Sequence, residues 1–162
     1  MKQSLISLLI FCFVYVSASG QIKYSTKEFR IVEATVQSWS PGTVQSNAKQ
    51  TGGSIYQIKI TISKNSPLRF DSLYIDENLF PVEVVKGAER NYMGIFTKGD
   101  IVLILARQDN GEVSRKASSK LTAAISKSKK TGKGFISYWI NNKRYITPIT
   151  EFKVSATQQR NQ

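Results

Sequence analysis

The chain has 162 residues and carries 23 Lys and Arg against 11 Asp and Glu, which gives a formal net charge of +12 at pH 7. It contains no histidine and a single cysteine, Cys12. These counts exclude a Ser-His-Asp triad, a histidine general acid or base, and a zinc site built from several Cys or His ligands. Any catalysis would depend on carboxylates, lysine or tyrosine.

The first twenty residues have the order of a secretory signal peptide. Lys2 supplies the charged start, residues 5–16 form an apolar run, and residues 17–20 are small. The run is shorter than the roughly 18 apolar residues that a membrane-spanning helix needs. We therefore predict that residues 1–20 are a signal peptide and that the protein is secreted or lies in the periplasm or envelope.

Two cleavage positions fit the small residues, after Ala18 or after Gly20, and the second is favoured and exposes Gln21. Either cut removes Cys12, which leaves no cysteine to form a disulfide. Lipidation of Cys12 is disfavoured because the bulky Phe11 precedes it. About 140 residues remain, which is enough for one hydrophobic core.

Two strands are predicted next along the chain. Residues 54–62 alternate with period two, which is typical of a half-buried strand. The side predicted to face the core consists of Tyr56, Ile58, Ile60 and Ile62. Residues 29–39 form the other strand, with Val32, Ala34 and Val36 on one side. Residues 40–53 contain Pro, Asn and Gly residues typical of a long loop.

A hairpin is predicted over residues 68–76 and 79–86, because Asp76, Glu77 and Asn78 between them are turn residues. Lys98, Gly99 and Asp100 form a second predicted turn, and Asp109, Asn110 and Gly111 a third. Residues 101–106 are apolar on both faces, which predicts a strand in the centre of the core.

A last pair of strands is predicted at residues 135–140 and 143–152. They are joined by Asn141 and Asn142, since asparagine tolerates the left-handed φ of a two-residue hairpin turn. From Ser155 onward the chain is polar, and residues 155–162 are predicted to be a disordered tail.

Residues 115–130 leave two interpretations open. Ala117, Leu121 and Ile125 recur at helical spacing, which fits a short basic helix. Ser114, just before the segment, and four serines within it favour an irregular or strand-bearing loop instead.

Seven or so short β-runs with turns between them predict a single all-β domain over residues 21–154, an antiparallel β-sandwich of immunoglobulin-like architecture. Less than about a tenth of the mature residues are expected to be helical. The predicted core residues are Val36, Ile58, Ile60, Phe70, Leu103 and Ile140.

Several short motifs resemble a group of uncharacterised secreted bacterial β-sandwich domains, some of which are lipoproteins. They are the Glu33-Ala34-x-Val36-x-Ser38-Trp39 run, Gly52-Gly53, the 68–75 run, Lys98-Gly99-Asp100 and Tyr138-x-Ile140-Asn141. The resemblance covers residues 30–152 and implies an envelope-facing β-sandwich, with no assigned activity and no catalytic residue. This chain departs from the lipoprotein members because it lacks a usable lipid-bearing cysteine.

The excess positive charge lies in one segment. Residues 28–112 hold ten acids and nine bases, whereas residues 113–150 hold nine bases and no acid. Such a segment predicts a surface that binds anionic polysaccharide or lipid head groups, with nucleic acid a less favoured partner. The alternative is a Lys- and Ser-rich loop that keeps a sheet edge soluble. The candidate anion-binding residues are Lys127, Lys129, Lys130, Lys133, Lys143 and Arg144.

Aromatic residues lie beside these cations. If Asn141 and Asn142 form a two-residue turn, Trp139 is opposite Arg144 and Tyr138 is opposite Tyr145, on alternate faces. An aromatic side chain could then lie beside a cation. Packing of the same aromatics inside the sandwich is the alternative.

Carboxylates at Asp71, Asp76, Glu77 and Glu83 fall close together along a strand, a turn and a strand, and a suitably spaced pair could hydrolyse a glycan. Solvated turn residues are the alternative. The acidic turn lacks the alternating ligands and Gly of a calcium loop, and the Gly52-Gly53 and Lys98-Gly99 pairs are interpreted as turn glycines.

The sequence therefore favours a non-catalytic secreted or envelope binding or structural module, with no cofactor and no metal. The alternative hypothesis is a carboxylate-dependent enzyme that acts on a glycan.

Overall fold

The structure of the protein is a computed structural model that describes residues 22–25, 27–41, 52–109, 115–127 and 132–160. The predicted signal peptide, with Cys12, lies outside the described residues. So do Asn110 and Gly111 of one predicted turn, and residues 42–51 of the predicted loop.

Strands account for most of the described chain. They are β1 (Lys23–Tyr24), β2 (Phe29–Pro41), β3 (Gly53–Ile62), β4 (Arg69–Ile75), β5 (Asn78–Lys86), β6 (Glu89–Arg90), β7 (Ile101–Asp109), β8 (Arg115–Lys116), β9 (Gly134–Ile140), β10 (Lys143–Ile149) and β11 (Lys153–Arg160). A helix, α1 (Ser119–Lys127), lies between β8 and β9. The predicted all-β class is therefore confirmed.

Within the described residues, nine strands form one hydrogen-bonded path in the order β1-β10-β9-β4-β5-β7-β3-β2-β11. The short strands β6 and β8 pair with β5 off this path. Strand β5 pairs with β4 through its first half and with β7 through its second half. One curled open sheet results, so the immunoglobulin-like sandwich and the count of about seven strands are not confirmed.

The inner face of the curled sheet holds the main core. Strand β3 supplies the four predicted residues, of which Ile58 and Ile60 are completely buried. Phe29, at the start of β2, packs edge-on against Phe70 of β4 and Tyr138 of β9, with ring centroids 5.5 and 5.1 Å away. These rings join the β2 end of the sheet to strands near its other end. Of the other predicted core residues, Val36 and Ile140 are partly buried against this core.

Two predictions of side-chain direction were wrong. A bulge between Ile31 and Glu33 changes the phase of β2, and Val32 is 49% exposed, whereas Ala34 is buried. Leu103 alternates with the buried Val102 and Ile104 and lies half-buried on the outer face of β7. The apolar composition of β7 therefore does not place both of its faces in the core.

The predicted hairpin turns are confirmed. Asp76 and Glu77 have φ values of 46° and 68°, and Asn141 and Asn142 have 47° and 62°. Positive φ at both central residues gives a two-residue turn the twist that antiparallel strands need. Gly99, with φ of 92°, lies in the predicted turn before β7.

The preference for a loop at residues 115–130 was wrong, because helix α1 covers most of this segment. The Ser118 hydroxyl accepts a hydrogen bond of 3.4 Å from the Leu121 N–H, as an N-terminal cap does. Leu121 is fully buried on the outer face of the sheet. It packs with Tyr74, Phe135 and Ile146, and Ala117 and Ile125 lie beside this cluster. Burial of one apolar stripe therefore outweighs the low helix propensity of serine.

No helix in the described part of the chain is long and apolar enough to cross a membrane.

The prediction of a disordered tail from Ser155 was wrong as far as Arg160, because β11 pairs in parallel with β2. The amide of Gln37 also donates a hydrogen bond of 2.8 Å to the Ala156 carbonyl. Backbone pairing needs no apolar side chain, which is why the polar composition of this strand was misleading.

We predict that Ile60→Ala lowers the free energy of unfolding by about 2–5 kcal/mol, because this fully buried side chain leaves a cavity. Urea unfolding followed by circular dichroism measures the loss. Ile101→Ala is the matched control, since Ile101 is 58% exposed and should cost less than about 0.5 kcal/mol. An equally small loss for Ile60→Ala would mean that the strand faces the other way.

Candidate functional site

Three residues lie side by side on the outer face of the sheet, on the adjacent strands β4, β9 and β10. Arg69 is in register with Trp139, and Trp139 is in register with Arg144. The two guanidinium carbons lie 5.5 and 5.8 Å from the indole centroid, one from each neighbouring strand. Both distances are within the range of cation–π attraction. We call Arg69, Trp139 and Arg144 the Arg–Trp row.

Arg144 is held in place by hydrogen bonds. Its Nε donates to the Ser137 hydroxyl at 2.7 Å, and its Nη2 donates to Asp71 Oδ2 at 2.6 Å and to the Ser72 hydroxyl at 3.4 Å. A bulge between Phe70 and Ser72 leaves Asp71 out of the β4–β9 register. The guanidinium of Arg144 is therefore ordered by two neighbouring strands, and 22% of its side chain remains exposed.

The surface around the row keeps a net positive charge. Arg69 is exposed and has no acidic partner among the residues that the structure describes. Lys143 is exposed at the β9–β10 turn, but it is in register with Ile140, which packs on the inner core, so it lies on the face opposite the row. Arg69 and Arg144 thus supply two cations against the one carboxylate of Asp71. The Nε1 of Trp139 is buried and has no hydrogen-bond partner within the described part of the chain.

The predicted register of the last hairpin is confirmed, since Trp139 is opposite Arg144 and Tyr138 is opposite Tyr145. Tyr138 is completely buried, stacks on Tyr145 with centroids 5.8 Å apart, and donates a hydrogen bond of 2.9 Å to the Ser25 carbonyl. Burial raises the pKa of the Tyr138 hydroxyl. Of the three aromatic candidates, Trp139 lies beside cations, whereas Tyr138 and Tyr145 pack inside.

The predicted basic residues do not form one cluster. Lys143 and Arg144 follow the β9–β10 turn, whereas Lys133 precedes β9 at its opposite end. Lys133 lies six positions before Trp139 in the chain, which corresponds to about 20 Å along a strand. Lys129 and Lys130 lie outside the described residues, and the side chain of Lys127 is not described.

The predicted carboxylates lie in separate contacts. Asp71 pairs with Arg144, and Glu83 lies 3.4 Å from Arg90. Asp76 and Glu77 form the β4–β5 turn. Among the described residues, no group of three His, Cys, Asp or Glu could hold a metal ion.

Two further features were not predicted. Arg107 lies 5.8 Å from the ring centroid of Trp39, beside the close approach of Gly53. A Cβ on Gly53 would lie 2.1 Å from the Gln108 carbonyl oxygen, so Gly53 belongs to a strand contact and not to a turn.

A cleft of about 200 Å³ lies at the β2 bulge, where Lys153 Nζ is 3.2 Å from Glu33.

A charged contact also fixes the segment between β6 and β7. Lys86 Nζ lies 2.7 Å from Asp100 Oδ2 and 4.8 Å from the Tyr92 ring centroid. The Thr97 N–H donates a hydrogen bond of 2.8 Å to the same carboxylate. The hydrogen bond from Lys86 is the main reason that the pKa of Asp100 lies below its usual value of 3.8, and the Thr97 N–H adds to it. The hydrogen bond to Asp100 raises the pKa of Lys86.

Comparisons of the chain with models of protein families, with curated proteins and with solved structures find no match.

We expect Asp100→Asn to lower the melting temperature at neutral pH, because the ionised carboxylate that holds Lys86 and Thr97 is removed. The stabilisation is fully present above the pKa that the Asp100 carboxyl has in the unfolded chain. It is lost as the pH falls through the lower pKa that this carboxyl has in the folded protein. The gap between variant and parent should therefore close in acid. Thermal unfolding between about pH 7 and about pH 2 measures this gap.

Asp76→Asn is the control for this experiment, because Asp76 is an exposed turn residue and asparagine accepts its positive φ. A gap for Asp100→Asn that stays constant down to the lowest pH would show that the carboxylate charge is not the stabilising feature.

Proposed function

We propose that the protein is a non-catalytic binding module that acts outside the cytoplasm and holds an anionic polysaccharide through the Arg–Trp row. The observation that carries the proposal is the row itself, two guanidinium groups fixed against one indole on an exposed sheet face. Nucleic acid is a less favoured partner.

The geometry of the row suits a linear anionic ligand. Residues two strands apart in a sheet lie about 10 Å apart, so Arg69 and Arg144 can contact successive charged groups. The exposed guanidinium of Arg69 can bind a carboxylate or sulfate through paired hydrogen bonds. Arg144 contributes mainly its charge, because its Nε and Nη2 already donate to Ser137 and Asp71. Because Trp139, Ser137 and Asp71 already order Arg144, little side-chain entropy is lost when a ligand binds.

The non-catalytic part of the proposal is supported by the state of the carboxylates. Asp71 accepts its hydrogen bonds from Arg144 and Ser72, and Glu83 faces Arg90. A glycosidase needs two carboxyl groups that face the same scissile bond. Asp71 and Glu83 instead each lie against a different arginine, which favours a structural role for both.

For binding, we expect Arg69→Gln to elute from immobilised heparin at clearly lower salt than the parent protein. The slope of log binding constant against log salt should fall by about one, since one cation no longer displaces counterions. The Arg69 side chain is exposed, so the thermal stability should stay close to that of the parent.

The matched control is Arg107→Gln, which removes the same charge on the other half of the sheet and also removes an arginine beside a tryptophan. An equal loss of retention in both variants would mean that heparin responds only to net charge and would overturn the proposal. Glycan turnover that disappears in Asp71→Ala or Glu83→Ala, with the fold intact, would contradict the non-catalytic assignment.

For the site of action, N-terminal sequencing of the exported protein is expected to begin at Gln21, because the small residues end at Gly20. A processed protein that still contains Cys12 would show that this expectation is wrong.

A further inference from the structure

The segment between β6 and β7 carries two of the most exposed apolar side chains in the described part of the chain. Met93 is 78% exposed and Ile95 is 67% exposed, although their neighbours Tyr92 and Phe96 pack on the core. Phe96 is 1% exposed, and its ring centroid lies 5.0 Å from that of Tyr92. The chain therefore turns two aromatic side chains inward and holds two aliphatic side chains outward.

Hydrogen bonds hold this loop in place against the rest of the protein. The Tyr92 hydroxyl donates a hydrogen bond of 3.0 Å to the Ile95 carbonyl, and the Tyr92 N–H donates one of 3.0 Å to the Val84 carbonyl. Phe96 exchanges backbone hydrogen bonds of 3.0 and 3.3 Å with Ser66. A Cβ on Gly94 would lie 2.5 Å from the Tyr92 hydroxyl, so a larger residue there would have to displace the Tyr92 ring. Met93 and Ile95 are thus presented on a fixed tip.

Two cations flank this tip. Arg90 precedes it, is 73% exposed and lies 3.4 Å from Glu83, with the exposed Glu89 before it in the chain. Lys98 follows the tip and has no acidic partner among the described residues. Ser66, which pairs with Phe96, lies three residues before Arg69, and the ring centroids of Phe70 and Phe96 are 5.8 Å apart. The tip therefore lies at the end of the sheet where the Arg–Trp row begins.

We propose that the 91–97 loop docks on the surface of a lipid bilayer that contains anionic lipids, with Met93 and Ile95 entering the interface and the flanking cations contacting head groups. Two side chains on a projecting tip cover far less than the roughly 1,200 Å² of a specific protein interface. A bilayer needs only a few inserted apolar groups together with positive charge. Charge complementarity and the small apolar area thus favour a lipid surface over a protein partner.

This inference goes beyond the proposed function, because the inserted side chains are not part of the Arg–Trp row. Its test uses sedimentation of the full chain with phosphatidylcholine vesicles, with and without roughly 30 mol% phosphatidylglycerol. The parent protein should bind the anionic vesicles and be released by salt. Met93→Ser, Ile95→Ser should weaken this binding about tenfold or more, since two apolar groups no longer leave water.

The matched control is Val32→Ser, Val154→Ser, which removes two exposed apolar side chains elsewhere and should bind like the parent. Heparin retention of Met93→Ser, Ile95→Ser should equal that of the parent, so the two proposals fail separately. In a second measurement, Met93→Trp should add emission that shifts to the blue on anionic vesicles, compared with the background of Trp39 and Trp139.

Equal vesicle binding by the two double serine variants would overturn the proposal, and so would an unshifted Met93→Trp emission on bound vesicles. The parent protein could instead bind neither kind of vesicle and self-associate in sedimentation. If Met93→Ser, Ile95→Ser then abolishes that association, the tip contacts a second copy of the chain and the lipid proposal is wrong.

Discussion

The architecture depends on the packing of Phe29 against Phe70 and Tyr138. A single open sheet has one apolar face to bury, and it buries this face by curling on itself. The curl brings β2 close to β4 and β9, which are distant from it in the strand order. Three rings with centroids 5.1–6.0 Å apart fill the space where these strands meet. Aromatic rings suit this place because each buries a large area in edge-on contact.

The polar contacts behind these rings fix the chain that connects the two ends. The carbonyl of Ser25 accepts hydrogen bonds from the hydroxyls of Tyr138 and Thr147, and Ser25 lies between β1 and β2. Burying the carbonyl without these donors would cost free energy. The inner face is thus closed by apolar packing and by satisfied backbone groups, while most of the outer face remains available for side chains that meet solvent or ligand. The Arg–Trp row lies on that outer face.

Local patterns in the sequence predicted the parts of the fold that local physics decides. The alternation of apolar and polar residues is enough to predict strand β3. The asparagine pair before β10 is enough to predict a turn, because asparagine tolerates positive φ. The pairing of Trp139 with Arg144 followed from that turn alone. Arg69 could not be placed beside Trp139, because no local pattern specifies the register between residues that are 70 positions apart in the chain.

The failures share one cause, which is that tertiary contacts decide between local alternatives. The bulges near Val32 and Asp71 shift a strand by one residue, and such a shift turns side chains to the other face. Leu121 stabilises helix α1 because it is buried against the apolar surface of Tyr74 and Phe135. The Arg–Trp row depends on one of these bulges, since Asp71 meets Arg144 where the register of β4 changes.

Strand β11 has a consequence for how freely the chain can vary. It joins the sheet through its backbone, and its side chains from Lys153 to Ala156 are exposed. Almost any residue able to adopt an extended conformation could occupy those positions, apart from proline where an N–H is required. The number of residues in β11, in contrast, determines how much of the β2 edge is hydrogen-bonded to it. Random mutagenesis of this strand should therefore tolerate changes of composition far better than deletions.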